Sequence, residues 1–325
     1  MIALPALARR RRAALLTATL LACATALPAQ ATEPVKVTDA RGREIVVTDS
    51  SRTLSIGGAI TEVLADLGLA KRIAGIDSTS VYPPDAVAGK PNVGYLRQLS
   101  SEGVIGLNPT LILAMDSAGP KQTMDAINSA GIPLVSVPEA YSEKGLLDKI
   151  ALIGHAMGAD NAAACLTAAV GDDFATLRKL RAAVTKPVRV MFVMSLVNGQ
   201  AMAAGRHTAA DSIIALAGGV NAIDGYDGYK AINDEAIVAA RPDVVLTIKR
   251  SRDSFEADAF YAHPAFALTP AGQRRAFLAM DGLYLLGFGP RTPAAAVEVA
   301  SKLYPELAAE AAGFKPKATT VDCRS

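Results

Sequence analysis

Tyr95 and Arg97 stand two residues apart in the stretch Val93-Gly94-Tyr95-Leu96-Arg97-Gln98-Leu99-Ser100-Ser101-Glu102. A phenol and a guanidinium at this spacing, on a turn made permissive by Gly94, can act together on one ligand. Ser100 can cap the short helix that follows, Pro109 stops it, and Thr110–Ala114 is an apolar run of strand length. The pattern returns at Gly228-Tyr229-Lys230-Ala-Ile-Asn-Asp-Glu235, then Arg241-Pro242 and the apolar run to Leu246. Gly-Tyr, a cation, a Glu, a short helix, a residue before proline and a strand occur in the same order both times. Such an echo predicts two similarly built lobes whose loops face one cleft, each presenting a Tyr and a cation. That is the architecture of a binding protein.

The elements around these residues read as α/β. Glu44–Thr48, Leu54–Ile56, Arg72–Ile76, Leu111 onward and Pro133–Val137 are predicted strands. Thr61–Leu67 and Lys121–Ala130 alternate with them as helices, which indicates a parallel sheet. Ser142–Met157 is predicted as one helix and Asp160–Val184 as a long second one, capped by Asp160 and stopped before Pro187. A helix of that length between two lobes is a rigid spine. The second lobe begins with the strand Val188–Met194 and continues through Gln200–Gly205, a helix capped by Thr208, Val244–Ile248, Ala276–Met280 and the helix Ala294–Leu303. The expected fold is therefore two parallel-sheet α/β lobes joined by a long interdomain helix, with the ligand between them. Expected boundaries are 1–31 for an export signal, 32–141 and 188–318 for the lobes, 142–187 for the connecting helices and 319–325 for a loose tail.

Composition bounds the function. The 325 residues are 51% hydrophobic and 20% charged, a globular chain without an apolar run of about 18 residues after the N-terminus. Arg9–Arg12, the apolar stretch Ala13–Ala26 and Ala29-Gln30-Ala31 have the form of a cleaved secretion signal. Cleavage after Ala31 removes four arginines and no acids, so the formal charge falls from +2 to −2. Nucleic acid is then not an expected partner. Leu20-Leu-Ala-Cys23 is the alternative, a lipoprotein acylation site. Cys165 and Cys323 can pair in an oxidising compartment, but the sequence favours a buried Cys165 in a helix and a Cys323 in a frayed tail. Three histidines without metal-ligand spacing argue against a zinc or manganese binder. No Gly-x-Ser-x-Gly elbow, Walker loop or Gly-x-Gly-x-x-Gly fingerprint supports an enzyme.

Asn92-Val-Gly-Tyr95-Leu-Arg97-Gln-Leu-Ser-Ser-Glu102-Gly resembles the haem-site motif of the periplasmic haemin-binding proteins that feed bacterial haem ABC importers. Ala203-Ala-Gly-Arg-His-Thr-Ala-Ala-Asp211 and Met280-Asp-Gly-Leu-Tyr-Leu-Leu-Gly-Phe-Gly-Pro-Arg-Thr-Pro293 are similar to two further segments of that family, in collinear order from about Val37 to Leu303. The two-lobed plan is shared with cobalamin and siderophore carriers, which stay open as alternatives, as does a haem-dependent enzyme. The resemblance implies ferric haem as transported ligand with Tyr95 as axial ligand to its iron, a donor type that suits Fe(III). A phenol with a reference pKa near 10 needs iron or a nearby cation to ionise at neutral pH, and Arg97 can supply that cation or bind a propionate. Tyr229 and Lys230, with Tyr226, are the opposing candidates in the second lobe. Arg206 and His207 lie in a cleft-side loop. Relatives with a histidine in the preceding loop use it as a second contact; here that loop reads Ser195-Leu-Val-Asn-Gly199, which puts that role in doubt. Glu102 and Glu235 are expected to dock onto arginines of an inner-membrane ABC permease dimer, and the chain is expected to act in the periplasm as a monomer.

Overall fold

The computed structural model describes residues 34–249 and 255–324. The export signal, its cleavage site and Cys23 lie outside the described residues. A short antiparallel hairpin, β1 (Val35–Thr38) with β2 (Glu44–Val47), precedes the first lobe. That lobe runs β3 (Thr53–Ile56), α1 (Gly58–Asp66), β4 (Ile73–Ile76), α2 (Pro84–Val87), α3 (Ser101–Ile105), β5 (Leu111–Met115), α4 (Lys121–Ser129) and β6 (Leu134–Val137). Its four strands form an all-parallel sheet in the order β4-β3-β5-β6. All residues of β3, β5 and β6 are buried, which explains why they read as unbroken apolar runs: helices cover both faces of a parallel sheet.

Two helices then cross to the second lobe. Ser142 caps α5 (Glu143–Ala156), accepting from the Gly145 N–H at 3.0 Å. The spine α6 (Asp160–Ala182) has 23 residues, about 35 Å of helix. Asp160 is its first residue rather than its cap. Ala159 holds the cap position, and the Asp160 carboxylate meets His155 Nδ1 at 2.9 Å while His155 Nε2 meets the Lys36 carbonyl at 3.1 Å. His155 is thereby a structural link between hairpin, α5 and spine.

The second lobe contains β7 (Arg189–Val197), β8 (Gln200–Ala204), α7 (Ala209–Leu216), β9 (Val220–Asn221), β10 (Tyr229–Ile232), α8 (Asp234–Ala240), β11 (Val244–Lys249), α9 (Ala257–Ala262), α10 (Pro264–Ala267), α11 (Pro270–Arg274), β12 (Phe277–Asp281), α12 (Gly282–Leu286) and α13 (Thr292–Leu303). Its sheet is mixed, not all-parallel: β7, β11 and β12 run parallel, but β8 and β10 are added antiparallel in the order β10-β8-β7-β11-β12. The two-residue connection Asn198-Gly199, both with positive φ, can only return β7 antiparallel as a hairpin. A continuous core links α1, α5, α6, α7 and α13 with both faces of the first sheet and one face of the second. A second cluster, rich in Phe255, Phe260 and Phe266, fills the other face of the second sheet.

The C-terminus is fastened. After α14 (Ala308–Ala312), α15 (Lys317–Thr320) starts against buried Asp173 of the spine, whose carboxylate accepts from the N–H groups of Lys317 and Ala318 at 2.8 and 3.0 Å. Cys323 is buried and bonded to Cys165 of the same helix, with Cα atoms 5.6 Å apart. The expected frayed tail and unpaired cysteines are corrected here: an acidic helix cap and a crosslink pin the segment along the spine.

Candidate binding cleft

The repeated segment repeats in backbone as well as in sequence. Gly94 and Gly228 both take positive φ, +91° and +79°, a conformation that side chains with a Cβ rarely adopt. Ser100 and Asn233 both cap the next helix by accepting from its third N–H, that of Gly103 and Ala236 respectively. Glu102 and Glu235 both occupy the second helical position and are exposed. Each stretch then turns through a left-handed residue directly before a proline, Asn108-Pro109 and Arg241-Pro242, and enters the strand next to its lobe's first parallel strand. The copies differ at the tyrosine. Tyr95 sits in a turn, whereas Tyr229 begins strand β10.

The Tyr95 loop is anchored from both sides. Leu96 and Leu99 are buried in the core, and backbone bonds of 2.9 Å run from Leu99 to Gly119 and from Gly119 to Leu96. Burying those two leucines turns the intervening residues outward: Tyr95 is 38% exposed, and Arg97 Nη1 donates to its phenolic oxygen at 2.9 Å. Arg97 Nη2 lies 3.6 Å from Glu139 Oε1, in the loop after β6. Burial alone would lower the arginine pKa, but Tyr95 and Glu139 outweigh it and hold the guanidinium above its ordinary value. Asp116, at the end of β5, is pushed up by burial and by Glu139, while the backbone N–H of Glu139 partly offsets this. Strand ends of a parallel sheet are where an α/β lobe binds ligands.

Tyr229 opens β10 in the second lobe. Its ring packs edge-on against Phe192 with centroids 6.4 Å apart, and its hydroxyl meets Thr208 and the Ala210 N–H at the start of α7. Burial raises its phenol pKa; the hydrogen bonds and Arg97 lower it, and Glu139 raises it, so the two lobes interact electrostatically here. Lys230 is directed elsewhere. Successive strand residues face opposite sides of a sheet, and Lys230 Nζ lies over the Tyr226 ring at 4.9 Å, on the side of the phenylalanine-rich cluster. The structure thus separates Tyr229 and Lys230. Arg206 and His207 sit in the turn before Thr208, paired with a residue the sequence did not single out: Arg206 Nε donates to Asp227 Oδ1 at 3.0 Å and His207 Nδ1 is 3.4 Å from it. The Tyr226 hydroxyl donates to the Ala203 carbonyl at 3.0 Å.

Other residues missed by sequence reasoning join the lobes. Lys149 of α5 is buried and donates to the Phe288 carbonyl at 3.0 Å; burial lowers its pKa to about 8 against the pull of Glu139, Asp116 and Glu62. Tyr141 packs edge-on against Phe288 with centroids 5.1 Å apart, and burial with Glu139 raises its phenol. Arg291, inside the segment Met280–Pro293, reaches Glu62 of α1. A buried charge reads as a surface charge in a sequence until its partner's position is known.

A two-lobed α/β chain with a helical spine has the architecture of a substrate-binding protein, and residues 54–282 match the family described as periplasmic binding protein. The chain belongs to that family. Among solved structures it is similar to the periplasmic heme-binding protein BhuT in complex with two hemes: 38% identity, 80% of this chain and 100% of that one, TM-score 0.76. The periplasmic heme-binding protein RhuT from Roseiflexus sp. RS-1 is 37% identical over 80% and 100% of the two chains, with a TM-score of 0.75. The periplasmic heme-binding protein HutB of Vibrio cholerae is 31% identical over 79% and 100%, with a TM-score of 0.70. Among curated sequences, the uncharacterized ABC transporter substrate-binding lipoprotein YvrC of Bacillus subtilis is 25% identical over 84% of this chain and 86% of its own. A vitamin B12-binding protein of Vibrio cholerae is 24% identical over 61% and 70%. Among the described residues no helix is long and apolar enough to cross a membrane.

Proposed function

We propose that this chain is a periplasmic carrier that captures ferric haem between its lobes, with Tyr95 as iron ligand, and hands it to an inner-membrane ABC permease. The observation that carries the reading is the Tyr95–Arg97 pair: an exposed phenol with a guanidinium 2.9 Å from its oxygen. Arg97 donates to that oxygen, and a tyrosine oxygen is an established axial ligand of haem iron. A porphyrin brings four nitrogens of its own, so a single protein oxygen is enough. A bare metal ion needs more, and among the described residues no group of three His, Cys, Asp or Glu side chains could hold one. The structural relatives are heme-binding proteins, which favours haem over the other cargoes of the family.

In this reading Tyr229 forms the opposite wall, and Arg206 and His207 stand ready for propionates, at the cost of loosening their hold on Asp227. Lys230 faces away and keeps a packing role on Tyr226. The lobes, 32–141 and 188–318, are the parts that separate when the cargo leaves, and 142–187 limits how far. Glu102 and Glu235, at matching helical positions, would dock the two lobes onto a permease dimer of matching two-fold symmetry. Export by a signal cleaved after Ala31 gives a soluble carrier; acylation at Cys23 gives an anchored one, as the lipoprotein relative suggests. The role is carriage: no residue is assigned to catalysis.

Similarity to a vitamin B12-binding protein makes cobalamin the competing cargo. Titrating haemin, cyanocobalamin and a ferric siderophore separately into the mature protein tests the choice. The expected result is saturable binding of haemin alone. Saturation by cobalamin or siderophore without haemin overturns the reading.

A further inference from the structure

Behind Tyr95 and Arg97 stands a third group. Glu139 lies in the loop between β6 and α5, and its side chain is 25% exposed. It approaches Nη2 of the guanidinium whose Nη1 donates to the tyrosine, at 3.6 and 2.9 Å respectively. The Tyr141 hydroxyl donates to Glu139, and the Tyr141 ring is fixed against Phe288 of the opposite lobe. The groups around Glu139 are Arg97 from the tyrosine loop, Asp116 from the end of β5, Tyr141 beside it, Lys149 from α5 and Tyr229 from the second lobe. Lys149 donates to the Phe288 carbonyl, and among the described residues the cation paired with Glu139 within 4 Å is Arg97.

An unrestrained arginine has a long, rotamer-rich stem and seeks carboxylates, and haem carries two of them. A guanidinium with one nitrogen directed to a carboxylate and another on a phenol has its planar fork fixed. We propose that Glu139 is a positioning residue for cargo capture: it holds Arg97 on the Tyr95 oxygen, so that the guanidinium serves the iron ligand instead of the propionates. The proposal rests on the reading of this cleft as a haem site.

A positioning role and a plain charge effect have opposite signs. A guanidinium bonded to the ligating oxygen draws electron density from the iron–phenolate bond and disfavours the ferric state, so losing it lowers the haem reduction potential. A nearby carboxylate favours the ferric state through space, so neutralising it raises the potential. The experiment measures the potential and the ferric charge-transfer band of the haem-loaded protein as wild type, Glu139→Gln, Arg97→Met and the double variant. Glu139→Gln is expected to lower the potential by most of the shift that Arg97→Met produces. In the Arg97→Met background the same change is expected to raise it, a sign reversal that a merely structural loss would not give. Tyr141→Phe, which leaves the carboxylate charged but frees it, is expected to act in the direction of Glu139→Gln and more weakly, and it serves if Glu139→Gln does not fold. A crystal structure of haem-free Glu139→Gln is expected to show Arg97 away from the Tyr95 oxygen. A potential that rises or stays still in Glu139→Gln (or in Tyr141→Phe, if Glu139→Gln does not fold), or Arg97 still on Tyr95, overturns the proposal. A wild-type protein that takes up no haem overturns the functional reading and the proposal with it.

Discussion

Glu62 of α1 and Arg291 ahead of α13 are joined across the lobe boundary by two side-chain hydrogen bonds, 3.0 and 2.9 Å long. The Arg291 backbone N–H adds a third at 3.2 Å, and the guanidinium stacks on the Tyr82 ring at 3.5 Å. Gly289 passes so close that a Cβ there would come within 3.2 Å of the Glu62 carboxylate. Glu62 is 2% exposed. Glu62→Ala therefore strands a mostly buried guanidinium and should cost about 3 kcal/mol, the lower end for breaking a buried pair because Arg291 keeps some contact with water. Urea unfolding measures it, and a loss below about 1 kcal/mol would contradict the burial argument.

One turn further along the same helix, burial and the Glu62 charge push Asp66 up from 3.8 to about 7, against the pull of Arg291 and Arg324. The folded state then binds more protons than the unfolded chain between those values, so this group's stabilising contribution is complete below pH 3.8 and is lost as pH rises through about 7. Asp66→Asn, which stays neutral, should melt higher than wild type at pH 8 and show no advantage near pH 4. Melting curves across that range check the sign.

The Cys165–Cys323 bond closes a loop of 158 residues and ties the C-terminus to the spine. Changing both cysteines to serine should lower stability by about 2–5 kcal/mol. Reduction of the wild-type protein should lower its Tm to nearly that of the double variant. Haem affinity should hold, since the bridge joins α6 to the tail and not to the Tyr95 loop.

The proposed docking and capture roles are separable by mutation. Glu102→Ala with Glu235→Ala should leave haem binding within about twofold and abolish haem-stimulated ATP hydrolysis by the reconstituted permease. Beside Glu235 lies a surface pocket of about 430 Å³, lined by Asp234, Val238, Pro264, Ala265 and the 67% exposed Leu268. Leu268→Asp should weaken the same coupling without touching capture.

Much of this was legible in the sequence, where spacing is set locally. The strands of the first lobe, the spine and the caps at Ser100 and Thr208 follow from apolar periodicity and short-range hydrogen bonds. The Gly94–Tyr95 turn could be read because glycine, an aromatic and a cation stand within four residues. What escaped depends on distant chain meeting: Glu139 on Arg97, Lys149 under Phe288, Glu62 on Arg291, Asp173 capping α15 and Cys323 on Cys165. The antiparallel turn of β8 and the divergence of Tyr229 from Lys230 were hidden for a different reason. An alternation of two residues fixes opposite faces only once the stretch is known to be a strand.

The most direct test of the account is the visible spectrum of the haemin-loaded protein beside that of Tyr95→Ala. The account predicts a saturable Soret shift with ferric phenolate charge-transfer bands in the wild type. In Tyr95→Ala the bands should be absent and affinity should fall by at least about tenfold, a loss of roughly 1.4 kcal/mol or more. Bands of unchanged shape and intensity in Tyr95→Ala would place the iron on another residue and contradict the central claim.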